Sequence, residues 1–239
     1  MPKYIHHELN EVPSLRKKFF SSLREVIFGL EDGIVSTLGA ITGIAGGIQD
    51  SDVVILAGFV IIVVESMSMA AGTFLSSKSE AEVNQRMLNE EREEIEKEPA
   101  KEREEIIKFY KERGFSDKET KILVKRITGN KELMLEEMAY RELRIIPSKN
   151  GTPKNDAVFM GISYIIGGII PLSAYFYLPL VYAIVVSVAS SVLILFIIGY
   201  SKGKMVHVNK LRSGAEMVLV SLTAAGIGYA VGRIIERFI

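Results

Sequence analysis

Nine side chains in this sequence have the types and spacings to handle a metal cation. Six lie in a polar stretch. Glu91 and Glu94 are three residues apart, as are Glu102 and Glu105, so each pair shares one face of a helix. Met138 and Glu142 follow at a four-residue spacing that begins at Met134. The other three, Asp32, Glu65 and Met69, lie in apolar stretches, and Glu65 and Met69 are one helical turn apart. Carboxylates joined by thioethers suit a divalent transition metal such as iron(II) or manganese(II); oxygens alone would suit magnesium or calcium. Each group also has a plainer reading. A run of Glu among Lys and Arg is most often a solvated helix laced with i,i+4 pairs. Met67 and Met69 taken alone read as packing, and Glu31 with Asp32 lie only about two turns into their span, where they can stay wet at headgroup level. The paired spacing of the acids and the Met138/Glu142 stripe weigh against a merely solvating surface. Glu65 does so in the membrane, where an ionisable residue is a functional candidate by default.

The rest of the composition narrows the chemistry. There is no cysteine, hence no disulfide, zinc finger or thiol nucleophile. The three histidines are His6, His7 and His207. None falls among the acidic helices, which argues against a ferritin-like di-iron centre built on Glu-x-x-His. No GxxxxGK[ST] loop occurs, so ATP-driven pumping by this chain is not expected. Gradient-driven transport remains, with Asp32 and Glu65 as the groups able to exchange a proton for a metal. No enzymatic activity, prosthetic group or nucleic-acid partner is expected.

These residues need two kinds of element to position them. Mean hydropathy is +0.24 although 24% of residues are charged. Both hold because the charges crowd into residues 78–154 and apolar blocks flank them. Five spans are predicted, near 26–48, 53–75, 157–177, 180–199 and 214–235, each close to the roughly 20 residues a bilayer needs. The expected organisation is an N-terminal segment 1–25 with a basic amphipathic helix at 14–25, spans one and two in 26–77, a metal-binding domain in 78–154, and spans three to five in 155–239. The second span runs into the acidic segment with no turn signal. Pro99 should break that helix and fold the two Glu pairs towards each other. Gly114 then stops a helix, Ser116 or Asp117 caps the next with Glu119 behind it, and Gly129-Asn130 separates a third over 131–143. Residues 145–157 read as a linker and 200–214 as a basic loop. Tyr175, Tyr177 and Tyr182 read as interfacial anchors. Gly39, Gly43 and Gly47 form a stripe that admits a second helix closely, and Gly228 with Gly232 form another. Lys and Arg in the N-terminal segment and the 200–213 loop place both, with the acidic domain, on the cytoplasmic side.

Several stretches together resemble the vacuolar iron transporter family of iron(II)/manganese(II) transporters. They are LREVIFGLEDGIVSTLGAITGIAGG in the first span and SMSMAAGTFLSSKSEAE at the end of the second. IIKFYKERGF and MAYREL follow in the polar domain, then DAVFMGISYIIGGIIPLSAY in the third span and GYSKGK after the fourth. The resemblance runs from about Leu23 to Gly232. It implies an all-α integral membrane fold of five transmembrane helices, with a cytoplasmic three-helix metal-binding domain between helices 2 and 3. It also implies a homodimer with a path between subunits, along which metal leaves the cytoplasm in exchange for protons. Asp32 and Met69 match the acid and thioether of that path. Glu91, Glu94, Glu102, Glu105, Met138 and Glu142 match the domain's ligands. Two positions depart from the pattern: Ile61 stands where the family has a second-span acid, with Glu65 one turn nearer the Met, and Ala139 follows Met138 where a second Met can occur. A short chain without targeting extensions fits a prokaryotic plasma membrane, and a vacuolar-type membrane if the source is eukaryotic. The alternative to transport is a membrane-anchored metal sensor or storage protein.

Overall fold

The computed structural model describes residues 21–48, 50–144 and 152–238. Residues 14–20 of the predicted leader helix lie outside them, and its last three residues, 23–25, open α1. Among the described residues there are eight α-helices and no strand. They are α1 (Leu23–Gly47), α2 (Ser51–Lys97), α3 (Pro99–Glu112), α4 (Asp117–Ile127), α5 (Lys131–Arg141), α6 (Pro153–Ser173), α7 (Leu180–Met205) and α8 (Lys210–Ile235). Two compact units result: one comprises the described residues up to Phe74 and from Pro153 onward, the other Leu75–Thr152.

Five helices in or entering the first unit, α1, α2, α6, α7 and α8, are long and apolar enough to cross a membrane. Large apolar side chains such as Leu56, Val185, Leu193 and Leu219 point outward, as expected where lipid is the solvent. α1 is the hub, packed against both α6 and α8. Glycine permits this. A methyl group at Gly43 would lie 2.7 Å from the Gly228 carbonyl oxygen, and one at Gly228 or Gly232 would run into the carbonyl of Gly39 or Gly43. The two predicted glycine stripes are thus partners of each other. On the other side of α1, a methyl at Gly29 would lie 2.6 Å from the Met160 carbonyl oxygen of α6. Dispersion between close backbones drives such contacts in lipid, where no hydrophobic effect separates helices from solvent. Gly228→Val is therefore expected to destabilise the protein by about 1–3 kcal/mol or more, as overpacking does. Gly226→Ala on the same helix, with open space around it, should be neutral or slightly stabilising. Thermal unfolding of the two variants in detergent checks the contrast.

Three expectations change in this unit. The 200–214 segment is mostly helix, because α7 continues to Met205 and α8 starts at Lys210. Asn209 caps α8 by accepting from the Arg212 N–H, which shortens the connection to four residues. The described end of the 145–157 linker is likewise helical: Pro153 opens α6, where its missing N–H costs nothing. Buried Asp156 in the first turn accepts a 2.6 Å hydrogen bond from Ser22 just before α1. Tyr175 is core rather than an anchor, packed with Ile41, Leu172 and Ala183, whereas Tyr177 and Tyr182 are exposed.

The second unit holds the polar end of α2 with α3, α4 and α5. Its core joins Ile95, Ile106, Tyr110, Val124, Ile127, Met134, Leu135 and Met138. The local signals operate as expected. Gly114 takes φ +87° at the end of α3. Ser116 and Glu119 form a complete capping box on α4, and Asn130 caps α5.

Candidate metal site

α2 delivers Glu91 and Glu94 from its last two turns. Glu98, before Pro99, leaves helical geometry at φ −129°, ψ 53°, as the proline ring requires of its predecessor. The chain re-enters helix at Pro99, which sets Lys101, Glu102 and Glu105 in the first turns of α3. α5 is locked onto α3 by a polar cluster. Tyr110 Oη donates to Glu137 Oε1 at 2.5 Å, Arg141 pairs with Glu137 and donates to Tyr110 Oη at 2.8 Å, and the Arg141 guanidinium lies 4.1 Å from the centre of the Phe109 ring. That lock fixes Met138 and Glu142 on either side of Arg141. Glu105, Met138 and Glu142 line one cavity of about 350 Å³.

A lysine stands against Glu94 of the first pair and both members of the second. Lys101 Nζ lies 3.9 Å from Glu94, 3.7 Å from Glu98, 3.9 Å from Glu102 and 3.8 Å from Glu105. Glu102 is only 1% exposed and neither carboxylate oxygen has a hydrogen bond; Glu91 is 5% exposed and its Oε1 has none. Burying carboxylates without donors is costly and needs a compensating partner. As they stand, no three Asp, Glu or His groups among the described residues are close enough together to form a finished metal cage. Met138 is buried in the apolar core while also reaching the cavity wall. Ala139 is fully buried beside Leu88, so α5 offers a single thioether here.

Burial, then the charges of Glu142, Glu102, Glu94 and Glu105, push the Glu91 carboxyl up to about 7. Glu102 is raised by burial, then by Glu105, and Glu142 by burial, then by Glu105. Conversely, Glu105 above all holds the Lys101 ammonium above the usual lysine range. A raised carboxyl means that the folded state keeps its proton longer than the unfolded chain. The stability this provides is complete below the ordinary carboxylate range and is lost as pH climbs through about 7. Metal-free protein is therefore expected to melt at a lower temperature at about pH 8 than at about pH 5.5, and Glu91→Gln should flatten that slope. Thermal unfolding across pH checks both.

In the first unit, Asp32 on α1 and Glu65 on α2 are close enough to feel each other's charge. Asp32 is partly buried, Glu65 exposed and Met69 partly exposed one turn on. Along its own face of α2, Glu65 is followed by exposed Ser68 and partly exposed Met69 and preceded by partly buried Ile61. Two groups that spacing alone did not single out join the acids. Tyr164 of α6, fully buried, hydrogen-bonds through its hydroxyl to Ser36 and is within electrostatic range of both Asp32 and Glu65. A phenol in the middle of an apolar span was the available signal. Lys101 was hidden because a lysine four residues before a glutamate reads as an ordinary surface pair.

The VIT family model matches residues 23–233. The chain is 27% identical over 215 residues to vacuolar iron transporter 1 of Tulipa gesneriana, covering 90% of this chain and 87% of that protein. It is 28% identical over 216 residues to vacuolar iron transporter 1 of Arabidopsis thaliana, covering 90% and 86%. It is also 27% identical over 228 residues to the vacuolar iron transporter of Plasmodium falciparum, covering 90% and 83%.

Proposed function

Because this chain belongs to the VIT family, a family of transporters rather than enzymes, we propose that it carries iron(II) or manganese(II) out of the cytoplasm in exchange for protons. It is a multi-pass membrane protein, and relatives similar along nine-tenths of the chain are named for iron transport. One observation carries the reading furthest: buried Glu91 and Glu102 hold oxygens without hydrogen bonds beside Glu94, Glu105 and Glu142. Such a group is costly to keep unless a cation or proton visits it. In this account the Leu75–Thr152 unit is cytoplasmic and captures metal through Glu91, Glu94, Glu102, Glu105, Met138 and Glu142. Asp32, Glu65 and Met69 then form the route through the membrane.

A homodimer completes that route. Glu65 is exposed on the face of α2 that also carries Ser68 and Met69, and a carboxylate turned to lipid is expensive. A second copy laid against this face would cover it and bring two sets of acids together. The proposal is tested by uptake into vesicles holding the purified protein, with iron(II), manganese(II), cobalt(II) and zinc(II) offered in turn. Uptake of iron or manganese is expected. A protein that binds these ions and moves none is a sensor or store.

A further inference from the structure

We propose that Lys101 is a built-in counter-ion of the acidic site, displaced by the incoming metal, and that it keeps cargo binding weak enough for release. The inference rests on the metal-capturing role given above to the acidic helices. Its own support is geometric. Lys101 Nζ lies within 4 Å of four carboxylates drawn from the end of α2, the Pro99 break and the first turns of α3. Among them is Glu102, 99% buried, with both oxygens lacking a hydrogen bond. The spacings of 3.7–3.9 Å suit a loose ammonium contact; a transition metal needs carboxylate oxygens at about 2.0–2.2 Å. The acids therefore stand apart around a bulky monocation and must close in around a smaller dication.

Lys101 is built to leave. Its side chain is 55% exposed, so it can swing into water without opening the core. A lysine head is a compact, strongly hydrated charge on a flexible stem, with no planar fork to hold it to one carboxylate. By contrast Lys97, one turn earlier, pairs at 2.8 Å with Glu93, which is outside the cluster. Every metal ion that binds must displace the tethered charge, and every ion that leaves is replaced by it. The capture domain thus keeps a standing competitor that needs no second ligand.

The test uses the full chain in detergent with manganese(II) alone, following free ion by its electron paramagnetic resonance signal. Lys101→Met is expected to bind manganese about ten-fold more tightly and to release it correspondingly more slowly, since competing exposed pairs are individually modest but four act together. Lys101→Arg, which keeps the charge, should stay within about three-fold of the wild type, and Lys97→Met within about two-fold. Unchanged or weaker binding by Lys101→Met overturns the proposal, as does equal tightening by Lys97→Met, which would mark a general charge effect. Glu102→Gln separates the two levels of the argument. If it binds like the wild type, or if the wild type does not bind, the acidic site itself is misassigned. If it weakens binding while Lys101→Met fails to tighten it, only the role of Lys101 falls.

Discussion

Vesicles carrying Asp32→Ala are expected to take up manganese at about the rate of protein-free vesicles, a loss of about 100-fold or more. An acid inside a membrane helix is retained against a penalty of several kcal/mol unless it has a partner or a path. Asp32 is on the hub helix α1, partly buried, and feels the charge of Glu65 across on α2. The Tyr164 hydroxyl, bonded to Ser36 one turn along α1, faces the same pair. A dication crossing here needs both charges, and a proton returning needs a site that can hold it. Removing Asp32 leaves Glu65 to do both. Binding in the Leu75–Thr152 unit should survive the substitution, so lost uptake with retained manganese affinity is the expected signature. Normal uptake would remove Asp32 from the route.

Glu102→Gln is expected to move affinity and stability in opposite directions. Glutamine keeps the shape and loses the charge. Metal affinity should fall about 10–100-fold, as when a ligand or its orienting partner is lost. The metal-free protein should melt at the same temperature or higher, because a buried carboxylate without a hydrogen bond has been neutralised. A residue that served only packing would lose stability on substitution; a solvated surface glutamate would change neither quantity. Alanine at both Glu102 and Glu105 carries the same test further. Unchanged binding and transport in that variant would leave the acidic helices as a solvated face.

Much of this arrangement was legible in residue types. Gly114, Ser116, Glu119 and Asn130 act through local geometry, so their stops and caps could be read directly. Pro99 marked the break that sets Glu91/Glu94 against Glu102/Glu105, since proline constrains its predecessor whatever surrounds it. The glycine stripes announced close helix contacts, yet only the fold shows that Gly39 and Gly43 meet Gly228 and Gly232. What was hidden depends on long-range placement. Lys101 resembles any helical salt-bridge lysine until the carboxylates of two helices are seen around it. Tyr164 resembles an ordinary apolar-span tyrosine until its hydroxyl is found beside Ser36. Tyr175 has an anchor's sequence neighbourhood and a core residue's surroundings. The connection before α8 looked long because its lysines and glycines mask a helix that needs only Asn209 to restart.

The central claim is that these acids exchange a metal for protons across a membrane, and one measurement addresses it directly. Purified protein is placed in sealed vesicles with equal manganese(II) on both faces and a proton gradient imposed across them, while metal and pH are followed together. The account predicts net manganese movement against the direction of proton flow, ceasing when the gradient is collapsed. Protein that binds manganese yet leaves both signals unchanged would contradict it.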